Sequence, residues 1–224
     1  MAQPRIPLVM IGAGGFAAIL HEILSARPDV TLLGCTDKAL GVSERSLDEG
    51  VTLKILGDDD IIPQLADKHR GLRAVFALGP DLMETRARLM RTLEAQNILF
   101  LSVIHASAVI SSLAKIGEGT VIREGATVSA SAEIGPCGLL NLGASIDHDA
   151  KLARNVYVGQ GAKISSHVQI GPNVVIEMGA SVNSRVTVGQ GARVTGGAFV
   201  NSDIPDHAVV VGVPARVVRF IDQP

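Results

Sequence analysis

The stretch from Ile146 to Ile176 reads IDHDAK LARNVY VGQGAK ISSHVQ IGPNVV I, with an aliphatic residue at the head of every block of six. The same step runs back through Leu140, Ile134, Val128, Ile122 and Ile116 to Ile110, and forward through Val182, Val188 and Val194 to Val200. Four residues after each head stands a small or β-branched residue, among them Ala126, Ala132, Ala144, Ala162, Val168 and Ala198. Only 47% of all residues are hydrophobic, so an unbroken aliphatic run at this spacing does not arise by chance. A six-residue unit is a short strand plus a tight corner, and three units close a triangular coil. Residues eighteen apart then stack, giving a solenoid of roughly five coils in which each coil stabilises its neighbours. The aliphatic residue points into the prism and the small residue fits where the corner narrows it. Gly117, Gly135, Gly143, Gly161, Gly171, Gly179 and Gly189 are expected at or near corners, supplying unusual backbone angles.

Residues 1–103 follow other periods. Leu8–Ile11 reads as a buried strand, and Phe16, Ile19, Leu20, Ile23 and Leu24 make a helical stripe directly after a glycine loop. Val30–Thr36 reads as a second strand and Arg73–Leu78 as a third. Asp58-Asp59-Asp60 caps a helix over Ile62 and Leu65, and a further helix covers Leu82–Gln96 with Met83, Ala87, Met90 and Leu93 on one face. Ile98–Val103 completes the alternation. The expected fold is therefore a small parallel α/β domain of Rossmann-like type over 1–103, a parallel β-helix over 104–213 and a tail over 214–224.

Composition narrows the function. Aromatic residues are 3% of the chain and Trp is absent, which excludes an aromatic stacking platform for single-stranded nucleic acid. A net charge of -2 speaks against a bulk-charge binder of nucleic acid. Cys35 and Cys137 stand far apart without metal spacing, so no disulfide scaffold or metal site is expected. The apolar stretch Leu8–Leu20 is too short to span a bilayer and is broken by Gly12, Gly14 and Gly15. The protein is read as cytoplasmic, with no membrane partner.

Two constellations carry chemistry. Gly12-Ala13-Gly14-Gly15-Phe16-Ala17 lies between a strand and a helix, where backbone N–H groups and the helix N-terminus favour a phosphate. Asp37, at the end of the next strand, is placed to bind a ribose hydroxyl. A purely structural turn, a nicotinamide site and a site for another nucleotide-bearing ligand all fit the loop. The small number of strands weighs against a full dinucleotide fold. In the solenoid, Asp147-His148-Asp149 sets an imidazole between two carboxylates, with the small residues Ala130 and Ser166 at its stacking positions. Such a histidine is either a solvated surface group or a general base whose basicity a carboxylate raises.

Taken together, Ile11–Gly15, Ile104–Ala108, Asp147-His148-Asp149 and Asp203–Arg216 resemble the family of bacterial sugar acetyltransferases that join a nucleotide-binding domain to a left-handed β-helix. Its members include sialic-acid O-acetyltransferases and the N-acetyltransferases of bacillosamine and perosamine synthesis. The resemblance implies acetyl transfer from acetyl-CoA to the amine of a nucleotide-linked 4-amino-4,6-dideoxy sugar. His148 would be the base and Asp149 its partner. Gly12, Gly14, Gly15 and Asp37 would hold the nucleotide, and Asn141 would line the sugar side. It further implies a homotrimer with active sites between chains, and acetyl-CoA contacts at Tyr157, Gly161, Ser166, Gly179, Gly197 and Arg216. Tyr157 stands where the family commonly has a second histidine, and Ser166 where it often has glycine. Phe16 and Thr36 also depart from the pattern, leaving the nucleotide open among UDP, GDP and dTDP. His167 reads as a solvated corner, and His105 as a sugar-nucleotide contact or a junction hydrogen bond. O-acetylation of a sugar hydroxyl and a non-catalytic nucleotide-binding solenoid are the rival functions.

Overall fold

A computed structural model describes residues 5–38, 41–48 and 51–221. Contacts divide the chain into two units, Met1–Val103 and Ile104–Pro224. In the first, strand β1 (Ile6–Ile11) runs straight into the glycine loop, and helix α1 (Gly15–Ser25) follows. Helix α1 buries Ala17, Leu20, Ile23 and Leu24, so its inner stripe is rotated by about one position from the expected one. The order continues with β2 (Val30–Thr36), β3 (Glu44–Asp48), β4 (Val51–Gly57), α2 (Ile62–Lys68), β5 (Arg73–Phe76), α3 (Met83–Ala95) and β6 (Leu99–Phe100). These strands form one sheet in the order β3-β4-β2-β1-β5-β6.

Two features of this unit depart from expectation. Strands β3 and β4 make an antiparallel hairpin at the sheet edge. The segment Ser43–Asp48 is too polar to signal a strand by its pattern. Helix α3 buries Arg86 beside Met83, Leu89, Met90 and Leu93. The Arg86 guanidinium donates to the Leu78 carbonyl at 3.0 Å and lies 5.1 Å from the centroid of the Phe76 ring. A cation satisfied in this way can face inward, although a hydrophobic periodicity would place it outside.

The second unit is built of two-residue strands whose partners lie eighteen residues on. Val121 pairs with Leu139, Leu139 with Tyr157, and Tyr157 with Val175, all in parallel. The strands form sheets of eight, six and five members, the three faces of a prism. Ile122, Leu140, Val158 and Ile176 point inward and are fully buried, with Ala126, Ala144, Ala162 and Ala180 beside the corners. This regular parallel stacking fits a left-handed β-helix. Part of the expected tail over 214–224 is a strand. Arg216–Phe220 folds back antiparallel to Ala208–Val211.

Each turn of the prism passes three corners, and from Gly119 to Gly197 every sixth residue, one at each corner, has left-handed φ. One corner carries Gly125, Gly143, Gly161, Gly179 and Gly197. The second carries Ser131, Asp149, His167 and Arg185, without a glycine among them. The third carries Gly119, Cys137, Asn155, Asn173, Gly191 and His207. There the fully buried Asn155 donates to Asn173 Oδ1 at 2.9 Å. Of the glycines expected to supply corner angles, Gly143, Gly161 and Gly179 do so. Gly117, Gly135, Gly171 and Gly189 have ordinary φ and are small for another reason: the neighbouring coil passes too close for a Cβ. At Gly135 a Cβ would meet the Ala153 carbonyl carbon at 2.6 Å. No helix among the described residues is long and apolar enough to cross a membrane.

Candidate active site

After the inward Ile146 the chain turns the second corner, and Asp147, His148 and Asp149 project from it. Asp149 holds φ at 58°, a conformation that acidic and amide side chains tolerate better than most. The His148 N–H donates to Asp147 Oδ1 at 2.7 Å. His148 Nδ1 and Asp149 Oδ2 are also 2.7 Å apart. An ionised carboxylate can only accept, so Nδ1 carries the proton and Nε2 is left as the basic nitrogen. The Asp149 hydrogen bond raises the His148 pKa above that of a free imidazole, aided by the charges of Asp147 and Asp149 and opposed by desolvation. The same bond lowers the Asp149 pKa, with a further contribution from the charge of His167. Both side chains are about half exposed, 50% and 44%, so a substrate can reach the imidazole.

The neighbouring coil completes the cluster. His167 was expected as an isolated solvated corner, yet its ring meets His148 edge to face, with centroids 5.3 Å apart. The missed signal is the spacing of eighteen from Asp149, not from His148. Ser166 is the residue that stacks on His148. Its neighbours Ser165 and His167 donate their N–H groups to Val182 and His148 carbonyls. Among the described residues the Ser166 N–H makes no such bond. His148, Asp149 and His167 bring potential donor atoms within 4.8 Å of one another, but His148 Nδ1 and the Asp149 carboxylate are already spent on each other. On the adjoining face a shallow depression of about 390 Å³ is lined by Ser129, Ser145, Asp147, Lys163, Ser165 and Asn183, among others.

Asn141, expected on the sugar side, is only 4% exposed within the chain. Its Oδ1 accepts from Arg123 at 2.7 Å and from the Leu142 N–H, and its Nδ2 donates to Tyr157 Oη at 3.0 Å. Arg123 is in turn paired with Glu124. Asn141 therefore supports the nearly buried Tyr157, whose own hydroxyl proton is not used by that bond. Gly161, Gly179 and Gly197 stand above one another on the first corner, away from His148, with open space where a Cβ would lie. Their N–H groups are committed to Leu142, Gln160 and Met178 carbonyls. Arg216 is exposed at the start of the last strand and donates to the Ala215 carbonyl. His105 closes a local knot with Ser107, Nδ1 to Oγ at 2.7 Å.

In the first unit, the glycine loop and Asp37 meet: the Ala13 N–H donates to Asp37 Oδ2 at 3.1 Å. Gly12 has φ of 98° and a Cβ there would meet Leu78 Cδ2 at 2.6 Å, so fold alone demands this glycine. Gly14 and Gly15 have nothing within 4 Å of a would-be Cβ, so packing does not explain them. Thr36 is buried and donates to Asp59 Oδ1 at 2.7 Å, an inward role. The Cys35 thiol is fully buried and pushed up to about 12, first by desolvation, which removes it as a nucleophile.

Solved structures share this architecture over nearly the whole chain. PerB from Caulobacter crescentus, in complex with CoA and GDP-perosamine, is 30% identical, with a TM-score of 0.84 over 96% of this chain and 98% of that one. The chain belongs to the sugar N-acetyltransferases of the hexapeptide-repeat family. The acetyltransferase domain of PglB from Neisseria gonorrhoeae, in complex with acetyl coenzyme A, is another relative of this family, 27% identical with a TM-score of 0.84 over 96% of this chain and 100% of that one. A curated relative, UDP-N-acetylbacillosamine N-acetyltransferase of Bacillus subtilis, is 29% identical over 115 residues. That match spans about half of each chain, 51% here and 50% there. No family model matches.

Proposed function

We propose that this acetyltransferase moves the acetyl group of acetyl-CoA onto the amine of a nucleotide-linked 4-amino-4,6-dideoxy sugar. The observation that carries the reading is the 2.7 Å pair of His148 Nδ1 and Asp149 Oδ2 on an exposed corner, in a chain whose relatives include a GDP-perosamine complex. His148 Nε2 takes the amine proton as nitrogen attacks the thioester carbonyl, and Asp149 stabilises the imidazolium that forms. The free Ser166 N–H is the donor we assign to the tetrahedral oxyanion. Collapse of that intermediate expels the CoA thiolate, which takes up the proton. No covalent enzyme intermediate is required.

The first unit, read as a Rossmann-like domain, would hold the nucleotide at Gly14, Gly15 and Asp37, with Gly12 shaping the loop. Tyr157, held by Asn141, would meet the acetyl end of acetyl-CoA, with Gly161, Gly179, Gly197 and Arg216 along the rest of it. We read the working form as a cytoplasmic homotrimer whose sites lie between chains. Purified protein should acetylate GDP-perosamine or a UDP-linked 4-amino sugar with release of free CoA thiol, and light scattering on the same sample should give three chains. Transfer to hydroxyl-bearing acceptors alone would move the assignment to O-acetylation. Binding of CoA without turnover on any acceptor would make the solenoid a non-catalytic one.

A further inference from the structure

His167 has no role in the mechanism above, yet it is the side chain placed against the base from the next coil. Its backbone is locked there: φ is 59°, and its N–H donates to the His148 carbonyl at 3.2 Å. The rings meet at 86° with centroids 5.3 Å apart, so the imidazole of His167 walls one side of His148. Asp149 lies eighteen residues before His167 at the same corner, and its carboxylate feels the charge of both rings. We propose that His167 is a positioning residue that keeps the His148 ring on Asp149 and, through its own charge, sets the pH range in which the base works. This rests on the reading of His148 as the base.

The physical argument has two parts. A five-membered ring on an exposed corner turns freely about its outer bond unless something stands beside it, and turning would break the 2.7 Å bond to Asp149. His167 supplies that wall. Second, a cationic side chain at position 167 stands close enough to repel a protonated His148. A positive charge held 5.3 Å away opposes protonation of His148 and weakens with the exposure of both rings to water. The other charged groups facing the pair are Asp147 and Asp149 on the same corner and Lys151 acting on Asp149. The preceding coil offers Ala130 and Ser131, without charge, and the following one Arg185 at the same corner position.

The left-handed positions of the solenoid supply the test variants. Asn173 and Arg185 both hold left-handed φ in this solenoid, so His167→Asn and His167→Arg keep a tolerated backbone. Both lose the wall, and they differ in charge. The titration of the His148 ring is followed by NMR in the full chain with a chelator present, using His148→Ala to assign the resonance. The kcat/KM profile for GDP-perosamine is measured alongside. The expected result is a His148 midpoint lower in His167→Arg than in His167→Asn. The limiting rate at high pH should fall in both variants. Equal midpoints together with wild-type limiting rates overturn the proposal. A full rate in His148→Ala is a different failure: it removes His148 as base, and with it the catalytic meaning of the coupling, whatever the midpoints show.

Discussion

Two corners of the same prism pass through left-handed φ in coil after coil, from Gly125 to Gly197, and they are built from opposite residues. Gly125, Gly143, Gly161, Gly179 and Gly197 pave one of them, where the conformation costs nothing and nothing projects. Ser131, Asp149, His167 and Arg185 occupy the other, each holding a conformation that a side chain makes unfavourable by roughly 1–2 kcal/mol, less for Asp. The third corner spends its side chains inward, on the Asn155–Asn173 bond. At the second corner the side chains project outward instead. The bond that Asp149 makes is to the exposed His148 ring, which makes this corner the candidate for serving something outside the coil. His148 and Asp149, which we propose as base and partner carboxylate, stand there.

The largest effect expected from breaking this contrast is catalytic. His148→Ala should lower kcat by about two to four orders of magnitude, the usual worth of a general base, and leave the melting temperature unchanged because the ring is half exposed. Steady-state kinetics and thermal melting on one preparation check both halves. A smaller but clear effect separates the two kinds of glycine. Gly135→Ala must push the Ala153 backbone away from 2.6 Å, so neighbouring coils have to part and the unfolding midpoint should drop strongly. Gly161→Ala meets open space and carries only the left-handed penalty, about 1–2 kcal/mol. Urea unfolding of the two variants side by side tests the order; equal losses would show that coil contact is not what keeps Gly135 small.

The solenoid was legible because one inward residue per six repeats without insertion, and nothing but a three-sided coil satisfies that period. His148 and Asp149 were legible as charges where the repeat is otherwise plain. His167 was not, because its partner relation runs through Asp149, and a one-residue offset from His148 conceals it until the left-handed positions are known. Asn141 was placed on the sugar side by the resemblance, and its burial could not be seen from spacing. Its amide is consumed by Arg123 and Tyr157, contacts made across coils. In the first unit, Arg86 and the polar hairpin of β3 and β4 escaped for the same reason: both are decided by neighbours, not by local pattern.

Asp149→Gly tests the central claim most directly, since it turns one residue of the working corner into the paved kind. Glycine accepts the 58° φ, so unfolding free energy should stay within about 1 kcal/mol of wild type. The imidazole would lose the hydrogen bond that raises its pKa. In wild type, kcat/KM should rise with pH through a limb above the ordinary imidazole value of about 6.5, as His148 gives up its proton. In Asp149→Gly that limb should move to lower pH, while the limiting rate at high pH falls because the ring is no longer held. A stable variant with the limb displaced downward and the rate reduced is the predicted result. An unchanged limb and an unchanged limiting rate in the folded variant would contradict the assignment of this corner as the catalytic one.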